Sequence, residues 1–279
     1  MDQHSLEQLL AGLPLGQLRY FASVGSTNDI AARWVQAGAA HHSLVVADEQ
    51  TAGRGRLKRR WYTPPGTGLA FSLILRPEAL PFDLSHGSHP GLLRLTALGA
   101  LAVSETLNDA LSPMLPAQIK WPNDVIATRR KLAGVLVELH WTGSQLAAAV
   151  LGIGINVTPL SVPPAEQLSF PATCVEAVIE QPIDRWELLP AVLKKLLSWE
   201  SRLNTDEFMH AWRGRTAFRG EWVHVLTESG ATGVESSLLE GQIAGLEADG
   251  SLRLRLHSGE MTSIQFGEVR LRPIDSPTK

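Results

Sequence analysis

The segment GLAFSLILRP, residues 68–77, is apolar almost without a break. A strand with one solvated face alternates polar and apolar side chains, so a run like this needs cover on both sides. The neighbouring segments supply both sheet partners and cover. LRYFASV (18–24) and SLVVADEQ (43–50) read as strands, rich in aromatic and β-branched residues. Between them, STNDIAARWVQAG (26–38) carries helix-start chemistry: Ser26 or Thr27 caps, Asp29 suits the first turn and Gly38 stops the helix. Apolar residues at helical spacing make LLRLTALGALAVSETLNDAL (92–111) a long core helix.

Farther on, AQIKWPNDVIA (117–127) reads as a strand with an irregular tip. LAGVLVELHW (132–141) and SQLAAAVLGIGINV (144–157) then form a strand pair joined at TGS. A looser Pro-rich stretch (158–173) leads to a helix at 185–203, capped by Asp184, and a short one around 205–213. From Thr216 the texture changes to short alternating strands, EWVHVL, EGQIAGLEADG, SLRLRLHSG and IQFGEVRLRP, with Asp249-Gly250 as a hairpin mark. The expected fold is α+β. A body of residues 1–215 holds a mixed central β-sheet with flanking helices, and residues 216–279 form a small β-barrel.

With 44% hydrophobic residues the chain can bury a proper core. Its 25 Lys+Arg against 28 Asp+Glu argue against broad binding to DNA or anionic membranes, which needs a basic face. One cysteine, Cys174, excludes an internal disulfide and fits a reducing compartment. The N-terminus lacks the pattern of a signal peptide, and no apolar run approaches the roughly 20 residues that span a bilayer. A soluble cytoplasmic protein is expected.

Against this acidic background, GRGRLKRRW (53–61) packs five cationic side chains into Arg54–Arg60. A nucleic-acid arm, a solvated loop and a cradle for a small anion are all consistent with such a run. Gly53 and Gly55 let backbone N–H groups approach a ligand, and arginines match carboxylate and phosphate oxygens. The run follows a buried strand directly, where loops gather ligands, and PPGTG (64–68) suggests a mobile loop beside it.

In IKWPNDV, Lys120 offers charge, while Asn123 and Asp124 orient a metal or polyphosphate or simply form a turn. Lys131 precedes a strand, and Gly134 gives close backbone access. GIGIN (152–156) lacks the third glycine and the helix of a dinucleotide fingerprint, so Asn156 instead presents a donor and an acceptor to a flat ligand. Ser26, Thr27 and Asn28 cap a helix or grip a polar group at its N-terminus. Cys174 has no histidine partner in view and reads as structural, and His41, His42, His86 and His89 show no zinc spacing.

Taken in order, STND (26–29), DEQTAGRGR (48–56), Trp61, KWPND (120–124), RKLAGVLVE (130–138) and GIGIN (152–156) closely resemble the biotin–protein ligases. The likeness runs on through ATCVEA and AWRGRTAFRG to GEVRLRP. It implies a class II synthetase/biotin–lipoate ligase-like sheet with a C-terminal SH3-like barrel. It also implies the family reaction, in which biotin and ATP give biotinyl-5′-AMP before transfer to a lysine of a biotin carboxyl carrier protein.

In this resemblance Arg56 and Lys131 are the catalytic candidates. Ser26, Thr27, Asn28, Gln50, Arg54, Gly55, Arg56, Lys131 and Gly134 hold biotin. Arg54, Arg56, Trp61, Lys120, Asn123 and Asn156 hold ATP, with Trp61 as a lid near the adenine and Asn156 reading it. Leu136 walls the aliphatic tail, and Asp124 holds Mg2+. The family loop has a glycine where Lys58 stands. The stretch ahead of Leu18 is too short for a winged helix-turn-helix, which points to the monofunctional class without specific DNA binding. Monomers and edge-paired homodimers both fit. A lipoate–protein ligase with the same adenylation chemistry is the nearest alternative, and a nucleic-acid binder using Arg54–Arg60 is the non-enzymatic one.

Overall fold

The computed structural model describes residues 1–82, 84, 89–110, 117–226, 238–265 and 268–270. Seven strands form the central sheet: β1 (Leu18–Val24), β2 (Leu44–Gln50), β3 (Gly68–Leu75), β4 (Gln118–Lys120), β5 (Asp124–Ala127), β6 (Arg130–Thr142) and β7 (Gln145–Asn156). Their order is β1-β2-β3-β7-β6-β5-β4. The β1–β2 pair is parallel and the other neighbours are antiparallel, so the sheet is mixed as expected.

All eight residues of β3 are buried, and the two faces of the strand meet different partners. Leu69, Phe71, Leu73 and Leu75 join the main core with α3 (His89–Ala110) and α5 (Arg185–Glu200). Ile74 joins a second cluster with Ala31 and Val35 of α2 (Thr27–Gln36), together with Val45 and Val150. The apolar run, broken only by Ser72, is thus the record of a strand sandwiched between helices.

A first helix, α1 (Gln3–Leu9), covers the outer edge of β1. The Gln3 amide donates to the Leu18 carbonyl at 3.0 Å and accepts the Tyr20 N–H at 2.8 Å, completing part of an edge ladder with one side chain. The Asp184 carboxylate accepts the Trp186 N–H and caps α5 as the sequence suggests.

Helices α4 (Val175–Ile179) and α6 (Asp206–Arg215) complete the body. The last strands, β8 (Trp222–Leu226), β9 (Leu238–Leu246), β10 (Leu252–Arg255), β11 (Met261–Ile264) and β12 (Glu268–Arg270), make a separate antiparallel sheet ordered β11-β10-β9-β8-β12. The small sheet is joined to the body through Trp121, whose indole N–H donates to the Gly250 carbonyl at 3.0 Å. Residues 271–279, including the end of the GEVRLRP motif, lie outside the described residues, as does His86.

Candidate functional site

Beyond β2 the chain enters the basic run, which folds as a narrow hairpin. Arg54 is bridged to Arg60, the Gly55 N–H donates to the Arg59 carbonyl at 2.8 Å and the Trp61 N–H to the Gly53 carbonyl at 2.9 Å. Leu57 and Lys58 at the tip have φ of 56° and 58°. Lys58 therefore adopts the left-handed geometry that suits the family glycine.

Arg54, Arg56 and Arg60 bond back to the protein, and Lys58 at the tip is exposed. Arg54 reaches Asp29 at 2.9 Å and Glu138 at 2.7 Å, Arg56 donates to Asn123 Oδ1 at 3.3 Å and Arg60 donates to the Thr51 carbonyl. A run folded onto its own protein is not an extended nucleic-acid arm. Trp61 lies against the sheet, because Gly134 and Gly154 leave room for its ring. A side chain at Gly154 would collide with the indole. The Lys131 ammonium stands 5.3 Å from the Trp61 ring centre, so the expected lid forms part of the floor beside this lysine.

The KWPND tip, with its cis Trp121–Pro122 peptide, faces the hairpin. It is tied to β6 by two bonds: Asn123 Nδ2 to the Val135 carbonyl at 3.1 Å and the Val135 N–H to the Asn123 carbonyl at 3.0 Å. Asp124 is buried with Lys120 Nζ at 3.0 Å and Lys131 Nζ at 2.6 Å. Burial alone pushes the Asp124 carboxyl upward. The charges of Lys120 and Lys131 outweigh it and hold the group far below the usual carboxylate range. Lys120 is 1% exposed beneath the Phe170 ring, which places it behind the site as Asp124's partner. The Asp124 oxygens each face an ammonium group, an arrangement that suits a counter-ion and does not fit a magnesium ligand.

The third wall comes from the Pro-rich stretch. The Lys131 N–H donates to the Pro171 carbonyl at 2.8 Å, and the Thr173 N–H returns to the Lys131 carbonyl at 2.9 Å. Asn156 Nδ2 donates to the Thr173 carbonyl at 3.0 Å. These bonds close a cavity of about 550 Å3 whose lining includes Arg54, Arg56, Trp61, Lys131, Leu136 and Asn156. Asp124 is its one lining carboxylate among the described residues.

Besides Lys120, four predicted biotin-binding residues lie buried outside this lining: Ser26, Thr27, Asn28 and Gln50. Three of them share a polar network. The Thr27 N–H and hydroxyl both approach Gln50 Oε1, at 2.8 and 3.1 Å. Gln50 therefore caps α2 from the end of the neighbouring strand β2, while Ser26 at the N-cap position makes no side-chain capping bond. Asn28 donates to Glu138 Oε2 at 2.6 Å and meets Ser72 Oγ at 2.6 Å.

Glu138 and Ser72 were not singled out from sequence. The available signal was their setting: a lone hydroxyl in the apolar strand β3 and a lone acid within β6. Cys174 is buried at the N-cap of α4, and burial pushes its thiol up, away from a reactive thiolate.

A second charged cluster sits away from this cavity. His41 Nε2 lies 3.0 Å from Glu200 Oε1, and His42 Nε2 lies 2.6 Å from Glu200 Oε2. Among the described residues this is the one group with the spacing of metal ligands. Its hydrogen bonds fill it with protons instead. His41 Nδ1 accepts the Arg76 N–H, so Nε2 carries the proton of the neutral ring. His42 Nδ1 faces the Pro14 carbonyl, which requires N–H on both of its nitrogens.

Residues 20–156 match the biotin/lipoate A/B protein ligase family. The biotin–[acetyl-CoA-carboxylase] ligase of Paracoccus denitrificans is 32% identical over 244 residues, covering 85% of this chain and 94% of its own. The bifunctional ligase/repressor BirA of Bacillus subtilis is 30% identical over 254 residues, covering 88% of this chain and 71% of its own. Among solved structures, the biotin protein ligase of Aquifex aeolicus in complex with biotin and ATP superposes with a TM-score of 0.73. It shares 31% identity, over 92% of this chain and 98% of that one. Likeness of this extent in sequence and fold leads to one conclusion: the chain belongs to the biotin–protein ligase family.

Proposed function

We propose that the cavity between the basic hairpin, the KWPND tip and residues 161–172 is where biotin and ATP meet. The protein is a biotin–protein ligase, activating biotin with ATP and transferring it to a carrier lysine. In the first step a biotin carboxylate oxygen attacks the α-phosphorus and pyrophosphate leaves. In the second, a lysine amine attacks the acyl carbon of biotinyl-5′-AMP, AMP leaves and the amine gives up a proton. Both steps crowd negative oxygens together, so fixed positive charge lowers the barrier.

The observation that carries the site is Lys131. Its ammonium is 2.6 Å from Asp124, in a cavity whose lining also includes Arg54 and Arg56. Lys131 and Arg56 neutralise charge where carboxylate and phosphate join. Asp124 aims Lys131 and balances the buried Lys120. Trp61 and Leu136 supply apolar wall, while Asn123 and Asn156 offer polar contacts to the nucleotide. Gly134 leaves the room that Lys131 and Trp61 occupy. Ser26, Thr27, Asn28 and Gln50 present polar groups to the ureido ring of biotin. Mg2+ accompanies ATP through its phosphates, since Asp124 is engaged by the two lysines.

Residues 1–215 carry this chemistry, and residues 216–279 form a second unit. The acceptor is a biotin carboxyl carrier protein, in the cytoplasm, with a homodimer as one compatible assembly. Among the described residues, no helix is long and apolar enough to cross a membrane.

With ATP, Mg2+ and biotin, the purified protein is expected to biotinylate a carboxyl-carrier domain; activity with lipoate and none with biotin would overturn this reading. Lys131→Met is expected to slow adenylate formation by about 10²–10³-fold, the cost of removing one preorganised charge. A pyrophosphate-release assay within threefold of wild type would show that Lys131 stands outside the reaction.

A further inference from the structure

We propose that Glu138 is a positioning residue that fixes which atoms the biotin-binding cluster presents; this rests on the functional reading above and deepens it. Glu138 lies on β6 two residues beyond Leu136, on the same face of the strand, and Leu136 lines the cavity. Leu136 pairs with Gly152 of β7, where Asn28 fills the space that any side chain would need. The network is therefore continuous with the cavity floor.

One oxygen, Glu138 Oε2, accepts from Asn28 Nδ2 at 2.6 Å and from Arg54 at 2.7 Å. A carboxylate only accepts, so it selects the amide face of Asn28. The NH2 must point at Glu138 and Oδ1 must point at Ser72. At the far end, the Thr27 backbone N–H fixes Gln50 Oε1 as an acceptor in the same way.

Between these two fixed acceptors stand two hydroxyls, Ser72 and Thr27, 2.7 Å apart. The links Asn28–Ser72, Ser72–Thr27 and Thr27–Gln50 make three gaps, and the two hydroxyls bring one proton each. The chain is one donor short. The hydroxyl oxygens are left with lone pairs to offer, so the cluster acts as a net acceptor. It suits a ligand presenting N–H groups, as a cyclic urea does, whereas a plain dithiolane has no such proton to give. If Asn28 were free to turn its amide over, its NH2 would fill the deficit and the cluster would lose its preference. Glu138 prevents that turn, and it holds Arg54 at the cavity wall through the same oxygen.

The test compares wild type, Glu138→Ala and Glu138→Gln in steady-state pyrophosphate release, in single-turnover transfer from supplied biotinyl-5′-AMP and in thermal melting. Glu138→Ala is expected to raise the biotin KM by about tenfold or more, the effect of releasing a buried polar partner. Transfer from supplied adenylate should stay within about threefold, because that step does not depend on capturing free biotin.

Glu138→Gln keeps an acceptor oxygen in reach of both partners and is expected to restore the biotin KM to within about threefold of wild type. Glu138→Leu, which preserves bulk, replaces the alanine variant where that one melts early. An unchanged biotin KM in the alanine and leucine variants overturns the proposal. So does equal impairment of the glutamine and alanine variants, or a fall in kcat with KM untouched. A wild-type protein inactive with biotin would count against the functional reading itself.

Discussion

Two buried carboxylates organise this molecule, and they differ in the bases that face them. Asp124 sits at the cavity between two lysines, while Glu200 joins the end of α5 to His41 and His42. Both carboxyls are pushed upward by burial and pulled lower by their partners, Glu200 to about 2. The partners decide how each cluster answers to pH. The two lysines hold the Asp124 carboxyl far below the neutral range, so that carboxylate stays charged there. Histidine titrates near neutrality, so the Glu200 cluster is a conditional staple. A site that must neutralise phosphates at working pH is served by the first kind.

Removing the acid from each cluster sharpens this contrast most. Asp124→Asn removes the carboxylate that two ammonium groups face, one of them on a residue 1% exposed. Its expected cost is about 3–5 kcal/mol in chemical denaturation, with adenylate formation falling as well. Glu200→Gln is expected to cost less, about 2 kcal/mol, because His42 can shed its proton and become neutral. Biotinylation at a temperature where that variant stays folded should be unchanged. Equal losses in the two variants would mean that the lysine and histidine settings are equivalent.

The smaller effect is the pH dependence of the Glu200 contribution, read as wild type minus Glu200→Gln. His42 is lowered by its burial, but the Glu200 hydrogen bond and charge raise it overall above 6.5. Its share of stability is full below 6.5 and fades as pH rises through the folded value. Glu200 moves the other way, from 4.5 to about 2, so its share is full above 4.5 and fades as pH falls toward 2. The difference should peak between about pH 4.5 and 6.5 and shrink on both sides. Urea melts across this range check it, and a flat difference would show that His42 is not the titrating partner. The Asp124 contribution should show no step near neutrality.

The same contrast marks what the sequence discloses. Residues 18–24 and the Asp184 cap of α5 are legible because their causes are local: a run of aromatic and β-branched residues, and a side chain two residues from the amide it serves. The motif residues of the cavity are legible as an ordered set. What stays hidden is long-range polar pairing. Asn28 meets Glu138 across 110 positions, and His42 meets Glu200 across 158. No local pattern links such pairs, and a zinc spacing sought along the chain passes over histidines whose acid lies on a distant helix. Gln50 capping α2 in place of Ser26 has the same origin, since the sheet brings a side chain where the local motif offers its own.

The smallest expected effect concerns backbone strain, and it tests both ends of the sheet at once. Lys58 and His42 each hold a left-handed backbone, with φ of 58° and 60°. For a residue with a side chain this costs about 1–2 kcal/mol relative to the right-handed form. His42 is compensated by Glu200, while Lys58 is exposed at the hairpin tip. Glycine relieves the strain and adds unfolded-state entropy worth about 0.4–1 kcal/mol. Lys58→Gly is therefore expected to stabilise by about 0.5 kcal/mol, whereas His42→Gly should destabilise, because the same relief is outweighed by an unpaired Glu200. Melts of the two variants at pH 6 decide it. Parallel shifts in one direction would mean that the backbone, and not the buried acid, sets the cost at both turns.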